Sequence, residues 1–233
     1  MPASVPRTLA DGMTILGLPG KIGNANTDLQ LRLEVFLFCI LWIVVIDLFL
    51  FFEICIDGEG VNYMTDSKLR TFLKQYWAHY IMLEEEVLRT VEYVSINKVN
   101  FDTFSMRYFM IFEGICSEVD ALCKEVIHVI GARLDDNRMD YYCIPLREKY
   151  PDFIERKINC IDYDIVLQPW HDWGKEYKTK GEKKRVTPNW WKDYNACKHD
   201  RTATRPQYKK PNYMFANQEN ILNALAALYQ LNM

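Results

Sequence analysis

A strong net charge is missing from this chain. Its 28 Lys and Arg nearly balance 31 Asp and Glu, a formal charge of −3, so no global field draws it to nucleic acid. The short motifs of the common chemistries are missing as well. No glycine-rich phosphate loop, nucleophile elbow, His-Glu-x-x-His or C-x2-C pair occurs, which removes the usual nucleotide-hydrolase, serine-hydrolase and zinc readings. A disulfide framework is absent too. The seven cysteines are odd in number and irregular in spacing, as expected of reduced thiols in a reducing compartment such as the cytoplasm. No internal repeat is visible.

What is present is enough apolar material for a core: 49% hydrophobic and 14% aromatic residues in 233, room for one large or two small domains. Residues 1–27 carry Gly, Pro and Asn without a period and read as a flexible tail, with no secretory signal. Residues 28–57 read as a hydrophobic helix. Within it, Val35 to Ile56 is apolar at all positions but Asp47 and Glu53, a length suited to one membrane span. Asp47 would cost about 2.5–3.5 kcal/mol near mid-bilayer, less than the apolar residues return. Lys68, Arg70 and Lys74 beyond it favour a cytoplasmic C-terminal domain. Two other readings stand beside the span: a buried core helix, and upstream sequence preceding a true start at Met64.

From residue 64 the pattern becomes that of an all-α, antiparallel helical bundle. Residues 65–94 place Leu69, Phe72, Leu73, Tyr76, Trp77, Tyr80, Leu83 and Val87 on one helical face. After a short turn, a second helix is expected from about Asp102 to Ile130, antiparallel to the first. Glu118 falls at the edge of its apolar arc and needs a partner, whereas Asp120 and Lys124 read as solvated. Residues 131–187 form an irregular insertion. It holds a short helix at 144–150 with Pro145 in its first turn, a small β-hairpin from 157–160 and 165–167, and an aromatic turn at Pro169–Gly174. The segment Lys175–Arg185 carries six basic and two acidic residues; it reads as a solvated loop or as a phosphate-attracting arm. A last helix, capped by Asn217, runs to Leu231.

The chain is organised around PNWWKDYNACKHDR, residues 188–201. At 100° per residue, Trp190, Tyr194, Cys197 and Arg201 share one side of a helix. Trp191, Asn195, Lys198 and His199 line the neighbouring side. A zinc site from Cys160, His171, Cys197 and His199 has irregular spacing, so no metal and no cofactor are expected.

This stretch, with ICSEVDALCKE at 115–125 and ANQENILNALAALY at 216–229, resembles a group of uncharacterised bacterial HEPN-like proteins over residues 64–231. The resemblance implies a helical bundle, a homodimer and, in catalytic members, metal-independent RNA cleavage by an Arg, a polar residue, three others and a His. Here the polar residue matches Asn195 and the His matches His199, while the Arg position is Tyr194. On that reading His199 is the general base or acid, Asn195 orients the phosphate, and Lys198 with Arg201 neutralises it. Trp191 and Tyr194 would contact the substrate, and Glu118 would support the site. RNA or a nucleotide is the implied partner, and a membrane only if residues 35–56 are a genuine span. The competing reading is a non-enzymatic interaction module in which His199 hydrogen-bonds Glu118 across the bundle and the Asn195/His199 cluster is structural.

Overall fold

The computed structural model describes residues 13–15 and 71–233. The expected span at 35–56, the Met64 start and most of the 1–27 tail lie outside the described residues. The chain here is mostly helical, with small sheets added. Among the described residues, five α-helices are present: α1 (Ala78–Arg89), α2 (Met106–Val129), α3 (Met139–Lys149), α4 (Asn189–His199) and α5 (Gln218–Asn232). No described helix is long and apolar enough to cross a membrane.

The centre is α2 packed along α5. Phe112, Ile115, Val119 and Leu122 of α2 are fully buried against a face of α5 built from Leu222, Leu225, Ala226 and Leu228. Ala224, Ala226 and Ala227 carry no bulk that would hold the two helices apart. Both helices are capped: Asn217 Oδ1 accepts from Asn220 N, as expected, and Ser105 Oγ accepts from Tyr108 N, each at 3.0 Å, so α2 starts at Met106 rather than near Asp102. Their starts are stitched together by Gln218 N donating to Thr103 O at 3.0 Å. The buried Gln218 amide also donates to Ser95 O and accepts from Asn97 N, fixing the loop ahead of α2.

Helix α1 covers both α2 and α5. Its register with α2 is antiparallel, as expected: His79 meets Glu118, Leu83 meets Gly114, and Glu86 meets Arg107. A wider, π-type stretch at Leu73–Trp77 leads into α1.

Several local expectations need correction. The third helix begins at Met139, so Pro145 sits inside it rather than in its first turn. Asp120 is not merely solvated: it accepts from Tyr142 Oη at 2.8 Å and from Lys124 Nζ at 2.5 Å, tying α3 to α2. The expected hairpin exists as β2 (Ile158–Cys160) and β3 (Ile165–Leu167), antiparallel with Asn159 opposite Val166. Its outer edge is filled by a third strand from within the expected tail, β1 (Met13–Ile15), parallel to β2. The lysine-rich segment is not a loop. It is a second hairpin, β4 (Glu176–Thr179) and β5 (Glu182–Arg185). A two-residue sheet, β6 (Thr204–Arg205) with β7 (Lys210–Pro211), follows α4.

Candidate functional site

Helix α4 starts at Asn189, immediately after Pro188, and its apolar side goes where the sequence sends it. Trp190, Tyr194 and Cys197 are buried, and the Tyr194 ring meets Phe112 of α2 edge-on at 5.8 Å. Trp190 is covered by the aromatic turn: its Nε1 donates to Pro169 O at 2.8 Å and its ring meets Trp170. Trp191, on the neighbouring side with Asn195, Lys198 and His199, packs inward as well. It is buried against Trp190 and Tyr194, so neither Trp191 nor Tyr194 offers an open surface to a substrate. Burial pushes the Tyr194 phenol up to about 12, with further upward pressure from Cys116, Glu113 and Asp120.

The polar members of the expected site are not brought together. Asn195 is half-buried and His199 is exposed at the last residue of α4. Glu118 faces the other way, with its Oε2 2.9 Å from His79 Nδ1 on α1. The Glu118 carboxylate has the partner its position demanded, but that partner is His79 and not His199. Lys198 lies over the Tyr194 ring at 5.5 Å. Arg201, past the helix end, lies over Phe109 at 4.0 Å and 3.7 Å from Glu113. Lys198 therefore leans on its own helix and Arg201 on α2, while His199 stands 140° from Tyr194 on a helical wheel.

Beside α4 lies a polar network that sequence reasoning missed. Asp193 accepts from Arg205 Nη1 at 2.5 Å and from Asn220 Nδ2 at 2.9 Å. Arg205 also donates from Nε to Asn212 Oδ1 at 2.9 Å and stacks over Phe215 at 4.2 Å. Asn212 donates to Asp200 O at 2.6 Å, and its own carbonyl accepts from Cys197 Sγ at 2.8 Å. These bonds staple the end of α4, the connector after it and the start of α5. They are structural: each charge meets its counter-charge inside the set.

Uncompensated charge is found elsewhere, including on the β4–β5 hairpin. Lys180 and Gly181 both hold positive φ, 48° and 81°, the two-residue reversal whose twist suits a tight hairpin. The register places Lys178 directly opposite Lys183 and Tyr177 opposite Lys184. Glu176 serves both Lys183 and Arg185, at 3.5 and 3.6 Å. Lys178 and Lys180 have no carboxylate partner among the described residues. Tyr177 is 47% exposed.

Among the described residues, no three His, Cys, Asp or Glu side chains converge on a point that could hold a metal ion. Cys160 and Cys197 are buried while His171 and His199 are exposed. The five described cysteines are free thiols. No family model matches the chain, and no curated protein or solved structure matches it.

Proposed function

We propose that this chain is an RNA-binding protein on a HEPN-like helical core, with the β4–β5 hairpin as its contact surface and α4 as a structural helix. The homodimer implied by the resemblance belongs to the same reading. The observation that carries it is Lys178 placed directly across from Lys183. Like charges directly opposed on a hairpin are destabilising, by about 0.2–1 kcal/mol, and an anion laid across them relieves the repulsion. A phosphate backbone supplies regularly spaced anions. Exposed Tyr177 on the opposite face, beside Lys184, offers a ring on which an unpaired base stacks, so the favoured form is single-stranded RNA.

Cleavage has weaker support than binding. A general base needs a group that orients its ring, and His199 is exposed with no hydrogen-bond partner among the described residues. Glu118 is engaged by His79. The position where the resemblance expects an arginine is the buried Tyr194.

The test is fluorescence anisotropy of the full chain with a single-stranded RNA of about 12 nucleotides over a salt series. Four neutralised phosphates give a slope of log K against log[salt] of about −3, at about −0.7 per phosphate. Lys178→Gln with Lys183→Gln should weaken binding and flatten that slope by about 1.4. Unchanged affinity and slope would remove the hairpin from the interface.

A further inference from the structure

A pocket of about 480 Å³ opens where α3 meets the root of the β4–β5 hairpin. Two guanidinium groups line it, Arg147 from the last turn of α3 and Arg185 from the end of β5. The packing behind Arg147 requires glycine at 174. A Cβ there would lie 3.2 Å from Arg147 Nη1 and 2.7 Å from Cys143 Sγ. Burial raises the Cys143 thiol to about 11 while Arg185 and Arg147 pull it down, so both positive charges are felt at the same sulfur. Arg185 shares the Glu176 carboxylate with Lys183, which leaves two cations on one anion. Arg147 has no carboxylate within ion-pair distance among the described residues. Ile144 and Pro151 supply an apolar wall, and Glu148 completes the rim.

We infer that this pocket seats one nucleotide, its phosphate held by Arg147 and Arg185, its ring against Ile144 and Pro151, and its hydroxyl or amine donors toward Glu148. The mixed lining decides the ligand class. A bare inorganic anion would gain the two arginines but set its charge beside Glu148 and Glu176 and leave Ile144 and Pro151 with nothing apolar to cover them. A nucleotide carries the anion, a flat apolar body and hydrogen-bond donors in one molecule. The volume falls in the range of small-molecule sites, roughly 300–1,000 Å³, and guanidinium groups suit phosphate oxygens by their forked geometry. The assignment rests on the RNA-binding reading, since the pocket lies at the base of the proposed contact hairpin. A free nucleoside monophosphate and the phosphorylated end of an RNA strand present the same chemistry.

The experiment uses the full chain and calorimetric titration with adenosine monophosphate, with inorganic phosphate, and with 12-nucleotide RNAs bearing a 5′-phosphate or a 5′-hydroxyl. Adenosine monophosphate should bind with a Kd below about 1 mM, and inorganic phosphate about tenfold or more weakly. Arg147→Gln, an exposed position that should fold normally by circular dichroism, should weaken the nucleotide about tenfold, and Arg147→Lys should fall between. A 5′-phosphate preference that disappears in Arg147→Gln assigns the pocket to RNA ends. Equal binding of the two RNAs, with the free nucleotide still bound through Arg147, assigns it to the free nucleotide. The inference is overturned if Arg147→Gln changes neither nucleotide binding nor the 5′-phosphate preference, including where neither exists. The RNA reading is judged separately, by Lys178→Gln with Lys183→Gln on the 5′-hydroxyl RNA.

Discussion

Replacing Asp193 by alanine removes the carboxylate on which the α4–connector–α5 staple converges. Two bonds vanish together, from Arg205 Nη1 at 2.5 Å and from Asn220 Nδ2 at 2.9 Å. Asn220 is partly protected because its amide also donates to Phe215 O at 2.8 Å. Arg205 is not. Its Nη2 is already buried without a partner, and only Asn212 and the Phe215 ring remain to hold the charge. Losing one member of a fully buried pair costs about 3–5 kcal/mol. Here the side chains of Arg205 and Asp193 are 18% and 16% exposed, so water reaches the orphaned guanidinium and about 2–4 kcal/mol is the expected loss. For a chain of this size that is a fall in Tm of roughly 4–16 °C, at about 2–4 °C per kcal/mol. Urea denaturation followed by tryptophan fluorescence measures it. Arg205→Ala completes a double-mutant cycle, whose coupling should exceed about 1 kcal/mol because the two groups share one bond. A loss below about 1 kcal/mol for Asp193→Ala, or additive single mutants, would show that the staple is a surface ion pair of little consequence.

Three other perturbations read different parts of the reasoning. Gly174→Ala places a Cβ at φ +80° and 2.7 Å from Cys143 Sγ, and thermal denaturation should show a loss of roughly 2–4 kcal/mol from backbone strain and overpacking together. His199→Ala should move stability by less than about 0.5 kcal/mol, as for an exposed position, and RNA incubated with the wild-type chain should stay intact on a gel. Cleavage that His199→Ala abolishes would restore the catalytic reading. Tyr194 holds its proton up to about 12 in the folded chain, while an unfolded tyrosine releases it near 10. The stability tied to the neutral phenol is therefore complete below pH 10 and falls as pH rises toward 12. Urea midpoints measured from pH 9 to 11.5 should fall less steeply in Tyr194→Phe, and parallel curves would contradict the assignment.

Much of the bundle could be read from the residues because its signals are local. The stripe Phe112, Ile115, Val119, Leu122 repeats at helical spacing, and Asn217 marks a helix start whatever packs above it. Partner choice was harder to read. Glu118 needed a partner, and a wheel could not say whether it came from α4 or α1; the antiparallel register of α1 and α2 decides for His79. Trp191 shares its side of α4 with Asn195, Lys198 and His199, but its two neighbours in space, Trp190 and Tyr194, enclose it. The staple of Asp193, Arg205, Asn212 and Asn220 spans 27 positions in its longest bond and leaves no periodic trace. The lysine hairpin did carry a signal: Lys180-Gly181 between strands of equal length is a reversal of the kind that Gly favours. The density of charge around it reads as solvation and hides the turn.

The proposed contact surface rests on the distribution of cations rather than on their number. Around α4 each arginine or lysine beyond Lys192 is committed: Arg205 to Asp193 and Phe215, Arg201 to Phe109 and Glu113, Lys198 to the Tyr194 ring. Drawing any of them onto a phosphate means breaking an interaction that already holds the fold. On the hairpin the balance is reversed, because Lys178 faces Lys183 and Glu176 must serve two cations. A two-stranded hairpin is marginal on its own, and this one is lengthened at its root by Gly174 N donating to Val186 O and Val186 N donating to Lys175 O, both at 2.9 Å. Any anion that binds only the formed hairpin stabilises it, by about 2.7 kcal/mol at a hundredfold excess over Kd. That exceeds the roughly 0.2–1 kcal/mol of opposed like charge. The same repulsion that weakens the free hairpin thus becomes a preference for the anion-bound one, and the proposed RNA contact draws on that preference without any excess of total positive charge.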